Sequence, residues 1–210
     1  MAKTFMNTKG SAQKDRADQY EYKNGENRLR MVGDVLARYV YWIKGENNKP
    51  IPFECLAFNR ESEKFDNAEK DWVKEYYPDL KCGWAYAAQA IDPSDGKLKL
   101  WNLKKKLFEA IVSAAEDLGD PTDPETGWDI VFEKKKTGPL PINVSYELKV
   151  LRCKPRPLTD EEKAIVAELK SMDDVLPRPT PDQQKQLLDK LNNASAENVD
   201  EEISDEIEVK

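Results

Sequence analysis

Apolar and polar residues alternate along several stretches between residues 27 and 154, and this spacing indicates β-strands. The stretches are also rich in β-branched and aromatic residues, which favour strands. The predicted strands are residues 28–32 and 35–44, 82–91, 97–101, 128–136 and 143–154. The sequence Asp-Pro-Ser-Asp-Gly at residues 92–96 predicts a hairpin turn between two of them.

Two segments have the spacing of three and four residues that is typical of helices. The first is residues 62–76, which Pro78 ends, and the second starts at residue 103 and ends at Gly119. Thr159 with Glu162 forms a capping box for a further short helix, and another opens at residue 180. About five strands and two main helices without βαβ alternation predict a mainly β, α+β fold or a small barrel.

The pattern divides the chain into four parts. Residues 1–26 are polar without a sustained period, which predicts a flexible N-terminal arm. Residues 27–156 form the predicted core, residues 157–192 a helical extension, and residues 193–210 a disordered acidic tail. We expect a cytoplasmic protein, because no leader and no apolar stretch long enough to span a bilayer is present.

Charge is distributed unevenly over the 210 residues. The net charge is −7, yet residues 28–156 carry 22 basic and 21 acidic residues, whereas residues 157–210 carry 6 and 15. The acidity therefore belongs to the C-terminal part, and the core is close to neutral. A nucleic-acid partner for the core is compatible with this distribution.

Histidine is absent, and this excludes imidazole-based catalysis and two-histidine zinc sites. Cys55, Cys82 and Cys153 are dispersed, which predicts reduced thiols rather than a disulfide framework. The acidic turn at residues 92–96 has Leu103 where a calcium loop needs a glutamate. A nuclease that holds its metal ion through carboxylates is a third alternative, after the DNA-binding and adaptor functions considered below, although no convincing acidic cluster is visible. We expect no cofactor and no metal.

Basic and aromatic residues alternate on the strand at residues 97–101, where Lys97, Lys99 and Trp101 share one face. Cations neutralise phosphates and exposed rings stack on unpaired bases, so this mixture is typical of surfaces that bind single-stranded nucleic acid. Aromatic residues in strands are also common in protein cores, and a lysine run is often only a solvated surface. Both alternatives stay open for each residue.

Three lysines open the helix that follows, at the positive end of its dipole, which favours an anion site. The same basic and aromatic mixture recurs on the other strands. The candidate nucleic-acid-binding residues are Arg38, Trp42, Lys44, Lys81, Trp84, Lys97, Lys99, Trp101, Lys104, Lys105, Lys106, Lys134, Lys136, Lys149 and Arg152.

The acidic tail also contains scattered apolar residues, which favours docking of partner proteins; a merely solubilising end is the alternative. The candidate partner-binding residues are Glu201, Glu202, Ile203, Asp205, Glu206 and Ile207. An adaptor module that recruits replication proteins through this tail is the alternative to a DNA-binding protein.

Residues 27–154 resemble the single-stranded DNA-binding (helix-destabilising) proteins of tailed bacteriophages, of the T-even type. The resemblance is carried by residues 27–34, by the segment CGWAYAAQAIDPSDGKLKLWNLKKKLFEAI at residues 82–111, and by WDIVFEKK and YELKVLR. Its most specific part is Trp84 in a strand, followed by an acidic turn, a basic and aromatic strand and a lysine-rich helix start.

This resemblance implies an OB-fold core that binds single-stranded DNA cooperatively and without strong sequence preference. It implies roles in DNA replication, recombination and repair, an N-terminal arm that mediates self-association, and a tail that recruits replication proteins. By position, the DNA contacts would be Trp84, Lys97, Lys99, Trp101, Lys104, Lys105 and Lys106. The family's zinc site would lie in residues 51–80, but only Cys55 is present there, so zinc is expected to be absent.

Overall fold

One long strand organises the sheet and pairs antiparallel with three other strands along its length. The strands are β1 (Gly25–Lys44), β2 (Pro50–Glu54), β3 (Gly83–Asp92), β4 (Lys97–Leu103), β5 (Ile130–Lys136) and β6 (Val144–Leu148). The first residues of β1 pair with β5, its middle pairs with β3, and its end pairs with β2. The sheet order is β4-β3-β1-β5-β6, with β2 beside β1.

The computed structural model describes residues 18–45, 50–140 and 143–193. Over these residues the chain is a mainly antiparallel sheet with a few helices, so the predicted α+β class is confirmed. No helix in these three segments is both long and apolar enough to cross a membrane. The predicted acidic tail and most of the predicted N-terminal arm lie outside the described residues.

The helices follow local capping signals. They are α1 (Trp72–Tyr76), α2 (Lys105–Leu118), α3 (Asp160–Ala167), α4 (Met172–Val175) and α5 at residues 181–193, with a short 3₁₀ turn at Val150–Arg152. Gly119 ends α2 with φ +80°, as predicted. The predicted helix at residues 62–76 is confirmed only over α1 and is wrong before it, where Phe65 lies in a bend.

The main core lies between the inner face of the sheet and α2. Leu107 and Ile111 of α2 pack against Trp101 of β4 and Phe132 of β5, all of them fully or almost fully buried. The rings of Trp101 and Phe132 stack with centroids 5.7 Å apart, although β4 and β5 are not neighbours in the sheet order. The sheet is therefore curved enough to bring β4 and β5 together across its inner side.

Residues 18–22 close the space between β4 and β6. Backbone hydrogen bonds of 2.9 Å and 2.7 Å join this segment to Leu100 of β4. The Tyr22 hydroxyl donates to the carbonyl of Asn102 at 2.7 Å, and its ring contacts Tyr146 of β6 with centroids 4.9 Å apart. The last residues of the segment predicted as an arm thus contact β4 and β6.

The C-terminal extension packs on both faces of the sheet. On the outer face, Met172 of α4 packs against Leu36, Ala87 and Leu100, which belong to β1, β3 and β4. In α5, Leu188 and Leu191 join a second core that contains Tyr41 and Ile43 of β1. Because these two residues share the face of Tyr39, the second core lies on the inner side of the sheet, beyond the start of α2.

Two ion-pair clusters attach the extension. Glu54 of β2 accepts two hydrogen bonds from Arg60, at 2.7 Å and 2.6 Å, and lies 3.9 Å from both Arg38 and Arg178. Arg156 lies between Asp129 and Glu162, with its shortest N–O distances at 2.8 Å and 2.7 Å. Both clusters link residues that are far apart in sequence.

Replacing Glu162 by glutamine should lower the free energy of unfolding by about 1–2 kcal/mol at pH 7, because a charge-assisted pair is lost while the capping box with Thr159 is kept. Hydrogen bonds from Arg156 lower the pKa of Glu162. The pair therefore stabilises the fold above the carboxyl's unfolded pKa, and this contribution is lost as the pH falls through the folded pKa.

Urea unfolding of both proteins at several pH values checks this prediction. The difference between wild type and Glu162→Gln should shrink as the pH is lowered below about 4. Glu161→Gln, which changes an exposed neighbour in the same helix turn, is the matched control. A difference that stays constant with pH would contradict the assignment to the Arg156 pair.

Candidate nucleic-acid interface

Five aromatic side chains form a continuous line of ring contacts, which we call the aromatic row: Phe65, Tyr39, Trp84, Tyr86 and Phe108. Successive ring centroids are 4.8, 4.3, 5.7 and 4.2 Å apart. Trp84 and Tyr86 are nearly parallel, with an interplanar angle of 9°. Phe65 is 55% exposed and the other four rings are half-buried, so the row reaches the surface.

The row follows from strand register and from the start of α2. Tyr39 of β1 lies directly opposite Trp84 of β3, and Tyr86 lies two residues further along the same face. Because α2 begins immediately after β4, it places Phe108 over Tyr86. Phe58 is fully buried beneath the row and contacts Tyr39, Phe65 and Trp84.

Partly exposed rings held in place from below can stack on unpaired bases. Stacking of one base on a protein ring contributes about 1–3 kcal/mol and depends little on which base is bound, since every base has a π-face. Trp84 and Tyr86 are supported by ring contacts on both sides, so their orientation is fixed before a ligand arrives.

Lysines mark the start of α2 near one end of the row. Lys104, Lys105 and Lys106 are all exposed. Lys104 occupies the N-cap position without a capping hydrogen bond from its side chain, and its ammonium is 5.7 Å from the centre of the Tyr22 ring. Lys105 lies 3.8 Å from Glu109. The free N–H groups of this turn add to the positive potential.

Carboxylates also lie near the middle of the row. Burial first, and then the negative charges of Glu109 and Glu63, raise the pKa of Tyr86. Negative charge beside Tyr86 disfavours phosphate at that point. The arrangement therefore suits bases on the row and a phosphate backbone towards the lysines.

Two of the sequence-predicted residues, Trp101 and Lys99, lie in surroundings that the alternation alone does not show. Trp101 is fully buried in the core, and its indole N–H donates to the Tyr22 hydroxyl at 2.8 Å, so its ring cannot stack on a base. Lys99 does share its face, but it binds Asp95 at 2.7 Å and Asp92 at 3.2 Å, and its side chain is 14% exposed. The hydrogen bond to Asp95 raises the pKa of Lys99, and the neighbouring carboxylates leave little charge for phosphate.

A second group lies on the opposite face of β1 from the row. Trp42 is 53% exposed, and Lys44 is exposed near it. Arg38 points to that same face but its side chain is only 15% exposed and lies 3.9 Å from Glu54. These three residues do not join Trp84 in one groove, because strand alternation puts them on the other side.

The remaining predicted cations are spread over other parts of the chain. Lys134 donates to the carbonyl of Tyr22 at 3.1 Å, Lys149 lies 3.0 Å from both Glu133 and Glu147, and Arg152 pairs with Glu26. Lys81 is exposed shortly before Trp84, and Lys97 and Lys136 are exposed at strand ends. The predicted partner-binding residues at 201–207 lie outside the described residues.

Sequence reasoning missed four members of the row: Tyr39, Phe65, Tyr86 and Phe108. The available signal was the alternation Trp84-Ala-Tyr86, which places two rings on one strand face.

Cys55 is buried beside the hydroxyl of Tyr41, and the residues that the structure describes contain no group of three Cys, Asp or Glu side chains arranged to hold a metal.

Comparison with known proteins adds one relative. A protein of Escherichia phage T5 named "Probable ssDNA-binding protein" is 37% identical over 150 residues, which cover 66% of this chain and 57% of that protein. The chain thus spans little more than half of the relative's length. No protein-family model matches the sequence.

Proposed function

We propose that this chain is a non-enzymatic single-stranded DNA-binding protein of a bacteriophage. The aromatic row would stack on unpaired bases, and the lysines that open α2 would take up the adjacent phosphates. The observation that carries the proposal is the row itself, a partly exposed line of aligned rings that ends at the helix opened by exposed lysines. The name of the phage T5 relative supports the same class of ligand.

The sheet supports an OB-like core for this function. Without the hairpin strand β2, five strands remain in the order β4-β3-β1-β5-β6, and α2 lies between β4 and β5 in the chain. An OB-fold is a partly open, five-stranded barrel that binds oligonucleotides. Residues 18–22, which lie between β4 and β6, would close the open side of such a barrel through Tyr22.

In the phage-infected cell, this protein would bind DNA strands in the host cytoplasm during replication, recombination and repair, without cofactor and without strong sequence preference. Self-association along the strand and recruitment of replication proteins by the acidic tail are part of the same proposal. The charge of residues 157–210 supports the second of these roles.

Titration of the full chain with oligo-dT tests the proposal, because Trp84 in the row reports on stacking through its fluorescence. We expect quenching on binding, an affinity that falls as salt rises, and much weaker binding of duplex DNA. Unchanged emission together with no retention of labelled oligo-dT at low salt would overturn the proposal.

Changing Lys104, Lys105 and Lys106 together to glutamine should weaken oligo-dT binding and reduce the slope of log affinity against log salt by about 2, since three phosphate contacts are lost. The matched control changes Lys74, Lys154 and Lys170, which are equally exposed lysines elsewhere. An equal loss of slope in both triple variants would show that net charge, not this lysine cluster, governs binding.

A further inference from the structure

The aromatic row leads into a cavity of about 250 Å³ between β1, α2 and the loop after α2, which we call the α2 cavity. Phe108 belongs to both the row and the cavity. On β1, Val35 of the cavity lies on the same face as Tyr39 of the row, four residues away. The cavity is lined by Met31, Gly33, Asp34, Val35, Phe108, Ile111, Val112, Ala115, Asp120, Pro121 and Thr122.

The lining combines apolar walls with oxygen acceptors at the rim. Asp120 is held in place because its carboxylate accepts hydrogen bonds from the backbone N–H and hydroxyl of Thr122, at 2.8 Å and 2.7 Å. Asp34 is exposed next to Gly33, whose φ of +66° lies at the irregularity in the β1–β3 register. The lining contains no lysine and no arginine.

This composition disfavours a phosphate and favours a ligand with an apolar body and hydrogen-bond donors. Two carboxylates without a lining cation repel an anion. The volume lies below the roughly 300 Å³ at which pockets for drug-sized ligands begin, so it suits one ring system rather than a whole nucleotide. Carboxylates accept hydrogen bonds from exocyclic amino groups of bases, as with the N4 amino group of cytosine.

We infer that the α2 cavity binds one nucleobase of the bound strand and prefers a base with an exocyclic amino group, such as cytosine, over thymine or uracil. This inference rests on the proposed function. The row would hold its bases by stacking, without regard to their identity. The α2 cavity would add one base-selective position at the end of the row, where Phe108 supplies the stacking surface and Asp34 the acceptor.

The test compares oligonucleotides of eight thymidines in which one position at a time is replaced by dC or by dU. Cytosine and uracil differ in the 4-amino and 4-oxo groups and in the proton at N3, so the pair isolates recognition of the base edge. We expect dC to bind at least about fivefold more tightly than dU at one position near one end, and equally at the others.

Two variants locate the effect. Asp34→Ala removes the free acceptor, and Val112→Phe places a ring at the half-exposed rim of the cavity. Each should abolish the preference for dC while oligo-dT binding is retained. Asp79→Ala, at an exposed aspartate outside the cavity lining, is the matched control and should keep the preference.

Equal affinity for dC and dU at every position would overturn this inference and leave the proposed function intact, provided that oligo-dT binds. A preference that persists in both Asp34→Ala and Val112→Phe would also overturn it, because the selective contact would then lie elsewhere. Failure of all oligonucleotides to bind would instead remove the proposed function on which it rests.

Discussion

Replacing Trp84 by alanine is expected to weaken binding of oligo-dT by about 1–3 kcal/mol, which is roughly 5- to 150-fold. Trp84 is the central ring of the aromatic row, with Tyr39 4.3 Å away on one side and Tyr86 5.7 Å away on the other. Its loss removes one stacking surface and also releases the two neighbouring rings. Fluorescence anisotropy of a labelled oligonucleotide measures the effect without depending on tryptophan emission.

Trp42→Ala is the matched control, because Trp42 is 53% exposed on the opposite face of β1. It should leave the affinity unchanged within about twofold. Trp84→Phe should retain most of the binding, since a smaller ring still stacks. Equal losses in Trp42→Ala and Trp84→Ala, with unchanged thermal stability, would show that the row is not the binding surface.

Replacing Glu54 by glutamine is expected to lower the free energy of unfolding by about 3–5 kcal/mol, because buried charges lose their counter-ion. The side chain of Glu54 is 4% exposed, and that of Arg60, which binds it through two hydrogen bonds, is 8% exposed. Arg38 and Arg178 lie 3.9 Å away and would face a neutral amide. Glutamine keeps the shape, so the loss reports on charge.

Urea unfolding followed by circular dichroism measures this loss. Asp173→Asn is the control, since Asp173 also binds Arg60, at 2.6 Å, but its side chain is 75% exposed. An exposed pair contributes only about 0–1 kcal/mol. A Glu54→Gln variant as stable as Asp173→Asn would contradict the role of Glu54 as the centre of the buried cluster.

The elements that the sequence predicts well are those fixed by nearby residues. The hairpin of β3 and β4 depends on the turn at residues 92–96, where the Asp92 side chain accepts hydrogen bonds from both the backbone N–H and the hydroxyl of Ser94. The capping box of Thr159 and Glu162 is also present as predicted. Such signals involve contacts within a few residues, which a linear pattern contains.

The environment of one face of β4 could not be read from the sequence for a physical reason. Alternation shows that Lys97, Lys99 and Trp101 share a face, but it does not show whether that face points inward. Trp101 lies in the core, where its ring stacks on Phe132. Lys99 lies nearer the start of β4, and the carboxylates of Asp92 and Asp95 compensate its charge. A lysine at the end of an inward face is therefore compatible with a buried tryptophan further along.

The aromatic row was not predictable as a unit because its members come from four separate segments. Tyr39 is in β1, Phe65 in a bend, Trp84 and Tyr86 in β3, and Phe108 in α2. The rings are brought together only by the pairing register of β1 with β3 and by the position of the first turn of α2. Both of these depend on tertiary packing. Of the row, the sequence identified only Trp84, and it identified the neighbouring lysines at the start of α2, because both have a local signature.

The long strand β1 has a consequence for how the protein opens. Because β1 pairs in turn with β5, β3 and β2, one continuous strand joins the β5–β6 pair to the β3–β4 pair. Amide exchange in the middle of β1, where it pairs with β3, should therefore be among the slowest in the sheet. Tyr39 sits on this strand, so the stacking surface is preorganised, and a captured base would order little of the protein.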